Sequence, residues 1–287
     1  MIFLGTGAAE MLPNPFCTCR LCEHARLHPE QMRRRTCFLF DRHTMLDFGP
    51  DVLSACHTFG QDLSQLRDVF ITHGHEDHFS LTNLNVVTMS RTHDTPFTVH
   101  MSKGAYEHLL CLQKAVLQAT NGHADMLAAA RHGFFDLKPH DFFETFCAGD
   151  KTVFTVRGNH PGAGAQERSM HYRITQNGKT LLYATDTGLY EPVSIEALSG
   201  FPLDVLIMDA TFGSAEIPEG TQHLNGRLFL KQVETLEKCG AVTKDTRIFA
   251  AHINHKHEWT HADYQRFFDE SGAHPVTVAH DGMELQW

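Results

Sequence analysis

The chain has 287 residues, 42% of them apolar, enough to bury a large core, and one large domain is the expectation. Its formal charge of −10 at pH 7 argues against non-specific nucleic-acid binding, which draws its affinity from Lys and Arg on phosphates. No cationic segment precedes a long apolar one at Met1-Ile2-Phe3-Leu4, and no apolar run is long enough to span a bilayer, so the chain reads as cytoplasmic with no membrane partner.

Met1 to Leu4 reads as a first strand that stops at Gly5-Thr6-Gly7-Ala8-Ala9, a tight turn rather than a phosphate cradle. In Cys17-Thr18-Cys19-Arg20-Leu21-Cys22 the C-x-C-x-x-C spacing brings three soft thiolates onto one centre, and zinc then needs a fourth ligand from elsewhere. The other five of the eight cysteines are scattered, which favours metal over a disulfide framework. Cys37 to Phe40 and Thr44 to Asp47 form a hairpin around Asp41-Arg42-His43. Asp51 to Phe59 reads as a short helix.

The apolar run Val69-Phe70-Ile71 then delivers Thr72-His73-Gly74-His75-Glu76-Asp77-His78, an H-x-H-x-D-H signature at a strand's C-terminal end, where open sheets collect ligands. Three histidines and a carboxylate in so short a turn cannot all face one point. His73 and His75 can aim at one cation, Asp77 and His78 at a neighbour. Imidazole and carboxylate suit zinc, manganese or iron, and two such ions can share an activated water.

Leu81 to Ser90 reads as a helix and Phe97 to Met101 as a strand. From residue 103 to about 133 the composition shifts to Leu, Ala, Gln and Lys, with Leu109, Leu112, Val116 and Leu117 near helical spacing, which predicts a helical insertion. Acidic residues outnumber basic ones between Ser102 and Asp150, a poor composition for gripping RNA; the insertion could cap a site, join a homodimer interface, or be a plain surface elaboration with no function. Thr152 to Arg157 reads as a strand leading to Gly158-Asn159-His160-Pro161. Met170 to Gln176 and Lys179 to Ala184 form a hairpin around Asn177-Gly178, and its second strand ends in Thr185-Asp186-Thr187-Gly188. Val205 to Met208 is a buried-type strand ending in Asp209-Ala210-Thr211-Phe212. His223 then stands just before a helix capped by Asn225, where backbone N–H groups favour anions. Arg247 to Ala250 opens into His252-Ile253-Asn254-His255-Lys256-His257. Thr260 to Ser271 is a last helix and Val276 to Ala279 a last strand, before the turn at Asp281-Gly282.

The H-x-H-x-D-H motif resembles that of the metallo-β-lactamase superfamily. With the cysteine knuckle after a Gly-Thr-Gly strand and the stretch Arg33-Arg34-Arg35, the chain resembles its PhnP-like phosphodiesterase branch, related to tRNase Z-type hydrolases, nearly end to end. The resemblance implies an α/β (α+β) fold, an αβ/βα four-layer sandwich with the metal site at the sheet edges. It implies a first metal on His73, His75, His160 and Asp186, and a second on Asp77, His78, Asp186 and His252, with Asp186 as the bridge. It implies one structural zinc on Cys17, Cys19, Cys22 and His255, with His257 as the rival for the role of either His252 or His255. Asp47 would orient a metal-bound imidazole, or else be an ordinary turn aspartate. His223 would give a proton to the leaving oxygen, acting as a catalytic residue together with Asp77, or else be an exposed loop histidine.

The expected function is therefore a phosphodiesterase acting on a small cyclic or nucleotide-like phosphodiester, through a hydroxide held between two divalent metals, Zn, Mn or Fe, about 3.5–4 Å apart. The first alternative is an acyl hydrolase, a lactonase or thioesterase, on the same two metals. The second is a tRNA-processing nuclease. A binding or oxygen-reducing protein on the same ligands would need flavin or iron partners that the sequence does not show.

Overall fold

The computed structural model describes residues 1–89, 96–271 and 274–287. Its strands fall into two sheets. The first runs, in spatial order, β1 (Ile2–Gly5), β2 (Cys37–Asp41), β3 (Thr44–Leu46), β4 (Asp68–Phe70), β5 (Phe97–Ser102) and β6 (Phe135–His140). Pairing is antiparallel from β1 to β3 and parallel from β3 to β6. The second holds β7 (Thr145–Ala148), β8 (Lys151–Pro161), β9 (Arg168–Gln176), β10 (Lys179–Ala184), β11 (Val205–Asp209), β12 (Arg247–Ala251) and β13 (Val276–Val278), neighbours in chain order. There β7 to β10 pair antiparallel and β10 to β13 parallel.

Parallel neighbours cannot be joined by a tight turn, so each parallel pair is bridged by a crossover that carries helix. After α1 (Arg20–Leu27), which lies between β1 and β2, these are α2 (Val52–Phe59), α3 (Leu81–Val86), α4 (Lys103–Ala119) and α5 (Ala128–Arg131) for the first sheet. The second sheet uses α6 (Pro192–Leu198), α7 (Gly226–Lys238) and α8 (His261–Ser271). Among the described residues no helix is long and apolar enough to cross a membrane.

Alternate side chains of each strand point to opposite faces, and that period builds four layers. Phe3, Phe38, Leu46 and Phe70 of the first sheet meet Tyr172, Leu181, Tyr183 and Ile207 of the second in a common core. Their outward neighbours Leu39, Met45 and Val69 pack with Val52, Leu84 and Leu109 of the helices on one side. Leu182, Leu206 and Met208 pack with Leu198, Leu228 and Phe268 on the other. Each fully buried Phe in the shared layer contributes roughly 1.5–3 kcal/mol of transfer free energy. The four-layer α/β arrangement expected above is the arrangement found.

Four local readings change. The helical segment from Lys103 is present as α4 and α5, and it is the crossover between parallel β5 and β6. On α4 Leu109 is buried but Leu112 is exposed, and Gln113 takes the interior place, donating to Asp125 Oδ1 (2.7 Å) and accepting from Met126 N–H (2.8 Å). β8 continues past Arg157 through an irregular register to Pro161, so His160 sits within a strand rather than after one. α1, α6, β6 and β7 were not read from the sequence, and the predicted helix end at Ser90 lies outside the described residues.

The Gly-Thr-Gly turn is a packing device. A Cβ on Gly5 would meet the carbonyl oxygen of Arg35 at 1.9 Å, so only glycine lets the two segments approach. Asp281, its side chain nearly covered, locks this corner, accepting from Thr6 N–H (2.9 Å), Thr6 Oγ1 (2.8 Å) and Arg34 N–H (2.7 Å). Of the arginine stretch, Arg33 is buried and donates to Thr6 Oγ1 (2.7 Å) and the Ala279 carbonyl (2.6 Å), while half-buried Arg35 pairs with Asp51 (3.1 Å).

Candidate metal centre

Asp47, the His73–His78 turn, Asp186, Asp209 and His252 stand at or just past the C-terminal ends of β3, β4, β10, β11 and β12, all strands with a parallel partner. Convergence at these ends is the rule for open parallel sheets, and here the two sheets bring two sets of ends together. Asp47, Asp186 and His252 have φ of 60°, 57° and 60°, a left-handed conformation costing roughly 1–3 kcal/mol each for a non-glycine residue. The turn backbone is pinned from below: a Cβ on Gly49 would lie 2.0 Å from the Asp77 carbonyl oxygen.

His73 Nε2 lies 2.9 Å from His75 Nδ1, and His160 Nε2 lies 3.3 Å from the same atom, so three imidazoles share one focus. A second focus is formed by Asp77, His78 and His252. Asp186 lies between them. Its Oδ2 is 2.9 Å from His78 Nε2 and 3.0 Å from His252 Nε2, and its Oδ1 is 3.9 Å from both His160 Nε2 and His223 Nε2. His78 Nε2, His252 Nε2 and Asp186 Oδ2 are buried yet make no aligned hydrogen bond. Buried polar atoms are rarely left this way, and three aimed at one point have the form of a cation-binding set.

Several of these imidazoles are oriented from behind. Asp47 Oδ2 accepts from His78 Nδ1 (2.8 Å) and from Tyr183 Oη (3.2 Å), while Oδ1 accepts from Thr72 N–H (2.9 Å) and Thr72 Oγ1 (2.8 Å). Asp209 serves two histidines. His223 Nδ1 donates to its Oδ2 (2.8 Å), and His252 Nδ1 donates to Thr211 Oγ1 (2.8 Å), which donates to the same carboxylate (3.0 Å). With Nδ1 engaged, Nε2 of His78, His223 and His252 is left facing the cleft. Glu167, buried on the loop before β9, accepts from Gly74 N–H (2.6 Å) and holds the middle of the histidine turn.

The charges are strongly coupled. Burial opposes protonation of His252, but the charge of Asp186 and its contacts with Asp186 and Asp77 win and push it up to about 10. His78 is raised in the same way, against burial, by Asp186, Asp47 and Asp77. Asp186 is held well below the carboxylate range, against burial, by His252 and His78. His160 goes the other way, down to about 4, because burial dominates there. A focus that draws protons this strongly onto two imidazoles is one that suits divalent cations.

Cys17, Cys19, Cys22 and His255 form a separate group with ligand atoms within 4.8 Å of one another, Cys19 Sγ lying 3.6 Å from His255 Nδ1. His257 is elsewhere, its ring edge-on to Tyr264 at 5.0 Å between centroids. Burial pushes the Cys22 thiol up to about 12, with further upward contributions from Cys19 and Cys17.

The structure thus brings together every residue expected at the two foci and places His223 beside them. Asp209, Thr211, Tyr183 and Glu167 were missed. Asp209 had a readable sign, since it ends a buried strand as Asp47 and Asp186 follow theirs. Glu167 had none, lying far along the chain from Gly74.

Fold and site together define a class: an αβ/βα sandwich whose parallel strand ends carry two adjoining His/Asp foci. The chain belongs to the metallo-β-lactamase superfamily, with the family profile described as "Beta-lactamase superfamily domain" matching residues 42–257. This is a family of metal-dependent hydrolases. No curated protein matches the chain. Among solved structures it is similar to a diphosphatase from the PhnP family (TM-score 0.71, 21% identity, covering 100% of this chain and 96% of that one). It is also similar to zinc-bound PqqB from Methylobacterium extorquens (TM-score 0.71, 18% identity, 100% and 99%). The short form of human tRNase Z shares the fold too (TM-score 0.63, 16% identity, 99% and 98%).

Proposed function

We propose that the protein is a two-metal phosphodiesterase acting on a small phosphodiester. The first cation is assigned to His73, His75, His160 and Asp186, and the second to Asp77, His78, Asp186 and His252. The mixed imidazole and carboxylate donors fit zinc, manganese or iron, and the buried Nε2 and Oδ2 atoms that make no aligned hydrogen bond support that fit. When bound, such a pair acidifies a water to serve as nucleophile and acts as a Lewis acid toward phosphoryl oxygen. Cys17, Cys19, Cys22 and His255 are assigned a structural zinc, as three thiolates and an imidazole suit a closed tetrahedral site.

The observation that carries the phosphodiester reading is the Asp209–His223 pair. His223 lies half-buried in the wall of a cleft of about 180 Å³, with Nδ1 donated to Asp209 and Nε2 near Asp186. Burial disfavours its charged form, but the charge and hydrogen bond of Asp209, with Asp186, raise its pKa above the ordinary value. That upward shift favours the imidazolium form, which carries a proton on Nε2 as well as on Nδ1. The Nε2 proton passes to the leaving oxygen as the P–O bond breaks, while the Nδ1 proton stays on the Asp209 side. An alkoxide leaves poorly without one, which makes the pair most useful on an alkyl or cyclic diester. The small cleft and acidic chain favour a small substrate over tRNA.

The test is metal analysis of purified protein beside a panel of cyclic, alkyl and aryl phosphodiesters, a lactone and a thioester. His223→Ala is expected to lower hydrolysis of an alkyl or cyclic diester by roughly 10²–10⁴-fold and of an activated aryl diester far less. Equal losses would remove the acid role. Hydrolysis confined to the lactone and thioester would replace phosphodiesterase with acyl hydrolase.

A further inference from the structure

Glu10 and Lys256 form an ion pair in the wall of the same cleft. Among the described residues that line it, Lys256 is the one lysine or arginine. The two arrive from opposite ends of the chain because the turn after β1 runs beside the loop after β12: Gly7 bridges Ile253, and Ala8 N–H donates to the Ile253 carbonyl (3.1 Å). Neither role proposed above uses them.

Both are fastened to the cysteine group. The Glu10 carbonyl accepts from Asn14 Nδ2 (2.9 Å), and Asn14 N–H donates to Cys22 Sγ (3.3 Å). Lys256 directly follows His255, whose ring and carbonyl meet Cys19 Sγ at 3.6 and 3.7 Å. Its own N–H donates to Asn254 Oδ1 (2.8 Å). The cysteine group therefore sets where the two backbones stand, while the charged ends remain free to exchange partners. The Lys256 side chain is 57% exposed and that of Glu10 26%, and an ion pair this wet is weak enough to give way to another anion.

We propose that Lys256 is the specificity residue of the cleft, binding a second anionic group of the substrate, and that Glu10 occupies that position when the cleft is empty. The substrate class is a phosphodiester that also carries a carboxylate or a further phosphate within a lysine's reach of the scissile group. A carboxylate already sits against Lys256, so an anion at this point is accommodated. A singly charged diester would leave the Glu10 pair intact and gain nothing from it. This rests on the phosphodiesterase reading for the reaction, but not for the binding.

Calorimetry on the metal-loaded protein with propylphosphonate and 3-phosphonopropionate, which differ by one carboxylate, separates the two. The expected result is binding of the carboxylated ligand at least about tenfold tighter. In Lys256→Gln the ratio falls to near one, and Lys256→Arg restores it. Glu10→Gln, which removes the competitor, raises the ratio. An unchanged ratio in Lys256→Gln, or equal affinities in the parent protein, overturns the proposal. If Lys256→Gln does not fold, Glu10→Gln decides: an unchanged or lowered ratio is the overturning result. In turnover, p-nitrophenyl 2-carboxyethyl phosphate should be preferred over p-nitrophenyl ethyl phosphate chiefly through KM. If neither diester is hydrolysed but the lactone or thioester is, the phosphodiesterase reading fails while the phosphonate ratio still decides the role of Lys256.

Discussion

The two candidate metal sites are built on opposite plans. The His/Asp foci lie at buried strand ends, and at least four of their side chains are oriented from behind: His78 by Asp47, His252 through Thr211 by Asp209, His223 by Asp209 directly, and His160 by the Gln222 carbonyl (3.3 Å). The cysteine group lies on a loop and the first turns of α1, with Cys17, Cys19 and His255 only half-buried and a small apolar cluster of Leu12, Leu21, Cys22 and Ala25 beneath it. A preorganised site keeps its geometry whether or not the ion is there. A loop site depends on the ion for its shape, because binding and local folding are then one event. One segment joins them: His252 turns the backbone at a φ of 60°, so that it faces the buried foci and His255, three residues on, faces the cysteines.

Asp186→Ala gives the largest expected effect, since one carboxylate lies between both foci. Both active-site ions should be lost, with activity falling by several orders of magnitude, while one zinc per chain stays on the cysteines. Metal counting by mass spectrometry checks this, and two ions retained beyond the cysteine zinc would remove Asp186 from the bridge. Next is Asp47→Asn, which leaves His78 without its carboxylate and should weaken active-site metal affinity by about 10–100-fold with little change at the cysteines. Chelator competition reads it; an unchanged affinity would make Asp47 only a turn residue.

Cys22→Ser should do the reverse. The cysteine zinc is lost and the midpoint of thermal unfolding falls by roughly 5–10 °C, while the His/Asp foci still load when metal is supplied in excess. Loss of all metal in this variant would mean that the two sites are not built independently. The smallest effect concerns pH. His171, fully buried beneath the site, donates from Nε2 to the Thr185 carbonyl (2.9 Å), and burial lowers its pKa from 6.5 to about 4. The unfolded chain takes up that proton first. Its contribution is therefore fully present above about pH 6.5 and is lost as pH falls toward 4, on the order of 3 kcal/mol. Denaturant unfolding of chelator-treated protein at pH 7.5 and 4.5 should show a smaller acid loss in His171→Gln. An equal loss would assign the slope to other buried histidines.

The identity of the site was legible wherever chemistry and spacing coincide along the chain. His73 to His78 are neighbours in sequence, and Cys17 to Cys22 are as well, so their ligand spacing can be read without a fold. The two-sheet core was legible too, because strands such as Cys37–Asp41 and Val205–Asp209 announce themselves by apolar runs. β6 and β7 did not: their side chains do alternate, but Pro139 argues against a strand in β6, and β7 is only four residues long with Cys147 on its exposed face.

Partners distant in sequence could not be read. Asp209 holds His252 and His223 because β11 and β12 are parallel neighbours, and Glu167 reaches Gly74 because the loop before β9 crosses the end of β4. Glu10 meets Lys256 only because β1 and β12 belong to facing sheets whose following loops pair. The sequence by itself determined the residue types that can hold two cations and a zinc, and the strands that deliver them, since both depend on local order. Tertiary structure alone decided which imidazole nitrogen faces the cleft, that His255 rather than His257 meets the cysteines, and which charged groups line the cleft. Those depend on distances between segments that only the closed sandwich brings within a few ångströms.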